Sequence, residues 1–188
     1  IFSNVEVNLP LVETNYSRQI KLTTRDVDLI RSEIKGIQFV VPRNATGGQV
    51  TNGFKTGNFT VFGDFPLLDK VQKKKLTDGR FLNQKDINEN RKVCVISDGI
   101  YKELFDKDEE AVGTYLKVSN ISYQVVGVYK SGRFEGKNNL HIPFSTFKLV
   151  YNQGDKFQWM VVTGKQEFDI VQVEADVKLL LKNIHNSS

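Results

Sequence analysis

One cysteine, one methionine and two histidines are all that 188 residues contain of these types. With Cys94 alone, no disulfide can form within the chain. That argues against a small disulfide-stapled secreted scaffold, but not against a periplasmic domain with a sufficient core. Cys94 lies in the apolar run Val93–Ile96 and reads as a packed thiol. His141 and His185 stand far apart, and no Cys/His cluster has zinc spacing. Long apolar runs are missing too: none approaches the roughly 20 residues that cross a bilayer. No signal-peptide pattern is present. The chain starts at Ile1 and its sole methionine is Met160, so it is expected to be a piece of a longer protein whose membrane segments, if any, lie elsewhere. No internal repeat is found.

Motifs that carry chemistry are also absent. Gly132 to Lys137 has three residues between its glycines where a phosphate loop needs four, and Asn138 stands where Ser or Thr would meet magnesium. Gly48 to Gly53 is followed by Phe54 and not by lysine. Asp106, Asp108 and Glu110 open like a calcium loop, yet Ala111 replaces the glycine of its sixth position and Lys117 the glutamate of its twelfth. No spacing singles out a carboxylate pair for acid–base work. The reading is therefore not an enzyme, with no catalytic, cofactor-binding or metal residue and no cofactor. Five Asn-x-Ser/Thr sequons, at Asn15, Asn44, Asn58, Asn120 and Asn186, are read as incidental.

What is there is enough for a core: 39% hydrophobic and 26% charged residues. The net charge of +4 is modest, with acids dispersed among the bases, which speaks against nucleic acid as a partner. The organising stretch is 92–128. Val93–Ile96 reads as a strand covered on both faces. Ser97 or Asp98 caps a helix with Ile100 and Leu104 on one face, and Phe105 beside them. Tyr115–Val118 and Tyr123–Tyr129 form two strands around a Ser119-Asn120 turn, with Gly127 marking a bulge or close approach. Earlier, Val5, Val7, Leu9 and Val12 are strand-like, as is Arg18–Leu22. Thr23 and Asp26 start a helix carrying Val27, Ile30 and Ile34, stopped by Gly36. Ile37–Val41 is a strand, 43–48 a loop, and Gln49–Lys55 with Asn58–Phe62 a hairpin turning at Thr56-Gly57. Lys70, Lys73, Lys74 and Lys75 form a basic run read as a solvated helix face. Asp78-Gly79 is a turn, and Asn83 caps a turn of helix through Ile87. Residues 130–139 read as a mobile loop. Leu140–Ile142 and Phe157–Thr163 are strands, Phe144–Tyr151 a helix. The final helix begins at Asp169 with the stripe Val173, Val177, Leu180, Leu181 and Ile184. This is an α+β module.

An ordered series of short motifs adds to that reading: Gly79-Arg80-Phe81-Leu82 with Asp86, then Val93-Cys94-Val95-Ile96, Leu104-Phe105 and Gly113, then Val125-Val126-Gly127-Val128, then Ile142-Pro143-Phe144 with Thr146-Phe147. In order and spacing this resembles the extracytoplasmic (periplasmic) core domain of bacterial MacB-type ABC transporter permeases, over nearly the whole chain. Ser97 stands where the family often has glycine. The resemblance implies a porter-like α+β subdomain built from both chain ends, 1–70 and 152–188, with an inserted, mostly β, Sabre-like subdomain at 71–151. It implies a non-catalytic domain on the periplasmic side of the cell inner membrane, transmitting ATP-driven conformational change in efflux. Implied partners are the ABC ATPase subunit, reached through the membrane part of the parent permease, a periplasmic adaptor protein, an outer-membrane exit duct, and a second copy in a dimeric transporter. The alternative is a cell-surface or periplasmic binding domain for a glycan or protein ligand, unrelated to transport.

Overall fold

The computed structural model describes residues 4–5, 22–132 and 136–186, with backbone alone for Asn4, Val5 and Asn186. In chain order its elements are β1 (Asn4–Val5), β2 (Leu22–Thr23), α1 (Thr24–Glu33), β3 (Ile37–Asn52), β4 (Lys55–Asp64), α2 (Leu68–Val71), β5 (Lys75–Gly79), α3 (Gln84–Asn88) and β6 (Val93–Ser97). They continue with α4 (Asp98–Leu104), β7 (Tyr115–Val118), β8 (Ile121–Lys130), β9 (Asn139–Pro143), α5 (Phe144–Val150), β10 (Lys156–Phe157), β11 (Trp159–Gly164) and α6 (Ile170–Asn186). The chain divides into two compact units, Ile1–Arg43 with Gln153–Ser188, and Asn44–Asn152. The expected boundary after residue 70 thus falls after Arg43 instead, and the later one at 152/153 instead of 151/152. The first difference has a pairing cause. The second half of β3 and all of β4 hydrogen-bond with each other and with β7 and β9, which belong to the middle of the chain.

In the terminal unit, β11 lies antiparallel between β1 and the first half of β3, with Val161 opposite Val41 and Val162 opposite Val5. α6 packs on β11 and against α1. Val173, Val177 and Leu181 of α6 are buried, as are Val27 and Ile30 of α1, while Leu180 and Ile184 are half-buried. α1 begins as expected: the Thr23 backbone N–H and hydroxyl both donate to Asp26 Oδ2, at 2.7 and 3.1 Å. The expected strand residues Val7, Leu9, Val12 and Arg18 to Lys21 lie outside the described residues.

In the middle unit, β3 pairs β4, β4 runs parallel to β9, β9 antiparallel to β6, and β6 parallel to β8. β7 pairs with both β8 and β3, so the mixed six-stranded sheet returns to its first strand. One side gathers Val50, Phe59, Val61, Leu140, Ile142, Cys94, Ile96, Val125, Leu116 and Val118 with Ile100 and Leu104 of α4, all buried in one cluster. β5 adds to β8.

Several local expectations are corrected. Residues 43–48 are strand, not loop, because Gly47 and Gly48 pair with Thr60 and Phe59. The hairpin turns at Gly53-Phe54, with Asn52 opposite Lys55, and not at Thr56-Gly57. Gly53 supplies the positive φ of 58° that this turn needs. Asp78-Gly79 belongs to β5, not to a separate turn. Lys73 to Lys75 follow α2 and lie on no helix, and Lys74 is buried. Gly127 marks a close approach and follows a bulge: Cys94 and Val95 of β6 pair with Val125 and Gly127, so Val126 of β8 is the extra residue, and a Cβ at Gly127 would stand 2.1 Å from the Arg80 carbonyl oxygen.

Candidate functional site

The side of the middle sheet away from its main cluster holds a buried polar line. His141 stands in β9 opposite Phe62 of β4 and Val95 of β6. Its Nδ1 lies 2.7 Å from Asp64 Oδ2, and its Nε2 lies 3.1 Å from the Tyr129 hydroxyl of β8. Asp64, His141 and Tyr129 are at most 1% exposed. Phe62 stacks on the imidazole at 5.4 Å, Phe81 meets it edge-on at 5.8 Å, and the Lys74 ammonium sits 5.5 Å from the centre of the Tyr129 ring. A carboxylate at Nδ1 holds a proton there. The line therefore has the orienting acid and the imidazole of a catalytic relay, but it ends on a phenol with no access to solvent. It ties three strands together and offers no exposed nucleophile.

A second knot sits after β5. Arg80 donates to both oxygens of Asp86, at 2.7 and 3.1 Å, and to the Phe81 carbonyl at 2.9 Å. Asp86 also accepts from the Asn83 backbone N–H at 2.9 Å, while Asn83 Oδ1 accepts from the Asp86 N–H at 3.0 Å. Asp86 is fully buried and reads as the anchor of α3, which gives the Gly-Arg-Phe-Leu…Asp motif a structural reason.

The start of α4 clamps the loop before β9. Ser97 Oγ donates to the Lys137 carbonyl at 2.6 Å, and the Ser131 N–H donates to Asp98 Oδ1 at 3.0 Å. Partial burial pushes the Asp98 carboxyl up, but the hydrogen bonds from Ser131 and Lys102 outweigh it and hold the pKa at about 2. Ser97, not Asp98, is the N-cap.

The remaining candidates do not converge. Asp106, Asp108 and Glu110 are exposed after α4, and Asp106 pairs with Lys55 at 2.6 Å. His185 Nε2 approaches Asp26 Oδ1 at 3.1 Å within the terminal unit. Burial pushes the Cys94 thiol up, away from thiolate chemistry. Asn44 is fully buried, so its sequon is no surface loop, whereas Asn58 and Asn120 are exposed. Among the described residues no group of three His, Cys, Asp or Glu could hold a metal ion. An open groove of about 510 Å³ lies along Gly47, Gly48, Gln49, Asn58, Phe59, Thr60 and Asn138, with no ionisable side chain in its lining. Sequence reasoning missed Asp64 and Tyr129, which lie 77 and 12 residues from His141. It also passed over Phe54, whose one signal is an aromatic residue after a glycine.

The fold is that of transporter extracytoplasmic domains. It superposes on the periplasmic region of MacB from Actinobacillus actinomycetemcomitans with a TM-score of 0.78 at 24% identity, over 92% of this chain and 78% of that one. The extracellular domain of the noncanonic ABC-type transporter YknZ from Gram-positive bacteria gives 0.75 at 19% identity, over 88% and 85%. The chain belongs to the family of MacB-like periplasmic core domains, whose sequence model matches residues 4–180. Relatives include the macrolide export ATP-binding/permease protein MacB of Bdellovibrio bacteriovorus, 28% identical over 58% of this chain. Another is the pyoverdine export ATP-binding/permease protein PvdT of Pseudomonas syringae pv. tomato, 24% identical over 82% of it. The matches span 17% and 24% of those two proteins. By that family, and by the MacB periplasmic region on which it superposes, the chain is a periplasmic domain.

Proposed function

We propose that the chain is the non-catalytic extracytoplasmic domain of an ABC transporter permease, passing ATP-driven conformational change to periplasmic partners or substrate during export. The family match over 4–180 carries this reading. The unit built from both chain ends is assigned the porter-like role, and 44–152 the inserted Sabre-like one. ATP hydrolysis belongs to an ABC ATPase reached through the parent's membrane part. An adaptor protein and an outer-membrane exit duct are the periplasmic partners, and two copies form the transporter. Relatives named for macrolide and pyoverdine export support export as the direction.

The test uses the full-length parent, cleared of other accessible cysteines, with spin labels on Tyr115→Cys and Val171→Cys. Both positions are exposed, one in each unit. Nucleotide is expected to change the distance distribution, and an ATPase-dead variant to lose the hydrolysis-dependent part. A distribution that ignores nucleotide while export proceeds sinks the reading.

A further inference from the structure

The β3–β4 hairpin ends in an aromatic ring that nothing covers. Phe54 has a relative accessibility of 107%. A single exposed apolar residue is ordinary and carries no meaning alone. The support beneath this one is not ordinary. Asn52 Nδ2 donates to the Leu104 carbonyl at 2.9 Å, and Lys55 Nζ meets Asp106 at 2.6 Å, bracing both sides of the turn on the end of α4. One turn of strand below, the Thr51 and Thr56 hydroxyls lie 3.1 Å apart, and Thr56 also donates to the Val50 carbonyl at 3.2 Å. The ring is thus held out on a fixed backbone, so little ordering entropy is lost when it is buried by another surface.

The same end of the unit is acidic. Glu103, Asp106, Asp108, Glu109 and Glu110 are all exposed there, against the exposed Lys102 and Lys107 and the half-buried Lys55. The segment is built and not trailing: Glu109 accepts from the Asp106 N–H at 2.7 Å, and its carbonyl accepts from the Tyr101 hydroxyl at 2.8 Å. In a chain of net charge +4, this is a local reversal of sign. An anionic membrane surface would be repelled by it. A rigid aromatic anchor with a charged rim is the anatomy of a protein–protein hot spot, the ring filling a pocket and the rim setting register and encounter rate.

We propose that the hairpin tip, Phe54 beside Glu103, Asp106, Asp108 and Glu110, docks a protein partner that presents an apolar pocket edged by lysine or arginine. This rests on the reading that the domain works against a periplasmic protein, and it names the surface and its chemistry.

The experiment places p-benzoylphenylalanine at position 54 of the full-length parent in its own cells, with Leu149 as a second, separately exposed site. The expected result is one protein adduct from position 54, mapped by mass spectrometry to a peptide with Lys or Arg beside apolar residues. The double variant Asp108→Lys/Glu110→Lys should cut that adduct at least tenfold and leave any Leu149 adduct unchanged. With the partner so identified and purified, Phe54→Ala should weaken binding about tenfold or more at an unchanged melting temperature. No adduct, an adduct to lipid or to another copy of this chain, or an adduct indifferent to charge reversal overturns the proposal. If export and the nucleotide-driven label movement persist in that case, only the docking surface falls. If the label movement is missing while export proceeds, the functional reading falls, whatever the crosslink shows.

Discussion

Between Asp64 and Tyr129, His141 has an unequal pair of neighbours, and that inequality is measurable. Removing the imidazole leaves a fully buried carboxylate without the donor at 2.7 Å, whereas removing the phenol oxygen leaves the ring and its stacking in place. His141→Ala is expected to destabilise the domain by about 3 kcal/mol, and Tyr129→Phe by about 1 kcal/mol. Urea unfolding at pH 7 measures both, and equal costs would contradict the relay geometry. None of this was legible in sequence: His141 shows only as a polar residue in a short strand, and its partners come from two other strands. Asp98 was legible as a helix start but not as a clamp. Its pKa is depressed from 3.8 to about 2, so its carboxylate contributes stability that is present above pH 4 and lost as pH falls towards 2. Asp98→Asn should flatten the stability profile in that window. An unchanged profile would mean that Ser131 is not held by the charge.

Glycines divide the elements into places where a side chain is excluded and places where it is merely absent. At Gly127 a Cβ would meet the Arg80 carbonyl at 2.1 Å, and the Arg80 N–H is itself bonded to the Val126 carbonyl at 2.9 Å, which holds that backbone close. At Gly47 a Cβ meets nothing within 4 Å. Gly127→Ala is therefore expected to cost about 3 kcal/mol or more, while Gly47→Ala stays within about 0.5 kcal/mol of the parent. Thermal melts of the two variants check the contrast, and similar shifts would refute it. Gly47 and its neighbour Gly48 also explain one error in reading the sequence. Gly47 and Gly48 look like a loop because glycine punctuates loops, yet pairing with β4 keeps them in strand, and Gly48 leaves room for Val61, which a Cβ would meet at 2.9 Å. The short-range signals were better guides. Asn83 caps as read, Ser97 is the cap of the two residues read for α4, and Ser119-Asn120 turns with φ of 47° and 69°.

At the scale of the whole chain, the ends and the middle each close their own core. The terminal unit buries Val173, Val177 and Leu181 of α6 against β11 and α1, and the middle unit buries the cluster around Cys94 and Ile96. The sequence showed the α6 stripe plainly, since its period is helical and local. It hid the first unit boundary, because β3 runs without a break through Arg43 and only its partners change there. Separate cores make a specific expectation. Val177 is wholly inaccessible, so Val177→Asp loses the burial of an aliphatic side chain and asks a charge to enter the same space. Together these should cost about 4 kcal/mol. The charge acts where α6 meets β11, so the loss should be borne by the terminal unit. Hydrogen exchange followed residue by residue is expected to show faster exchange across 159–164 and 170–184, with protection in 92–128 retained. In the full-length parent the same variant should keep nucleotide hydrolysis and lose export, because the unit that would carry the motion no longer moves as one body. Protection lost equally in both units would mean that the two cores fold as one, and export retained with a loosened α6 would mean that this helix carries no force.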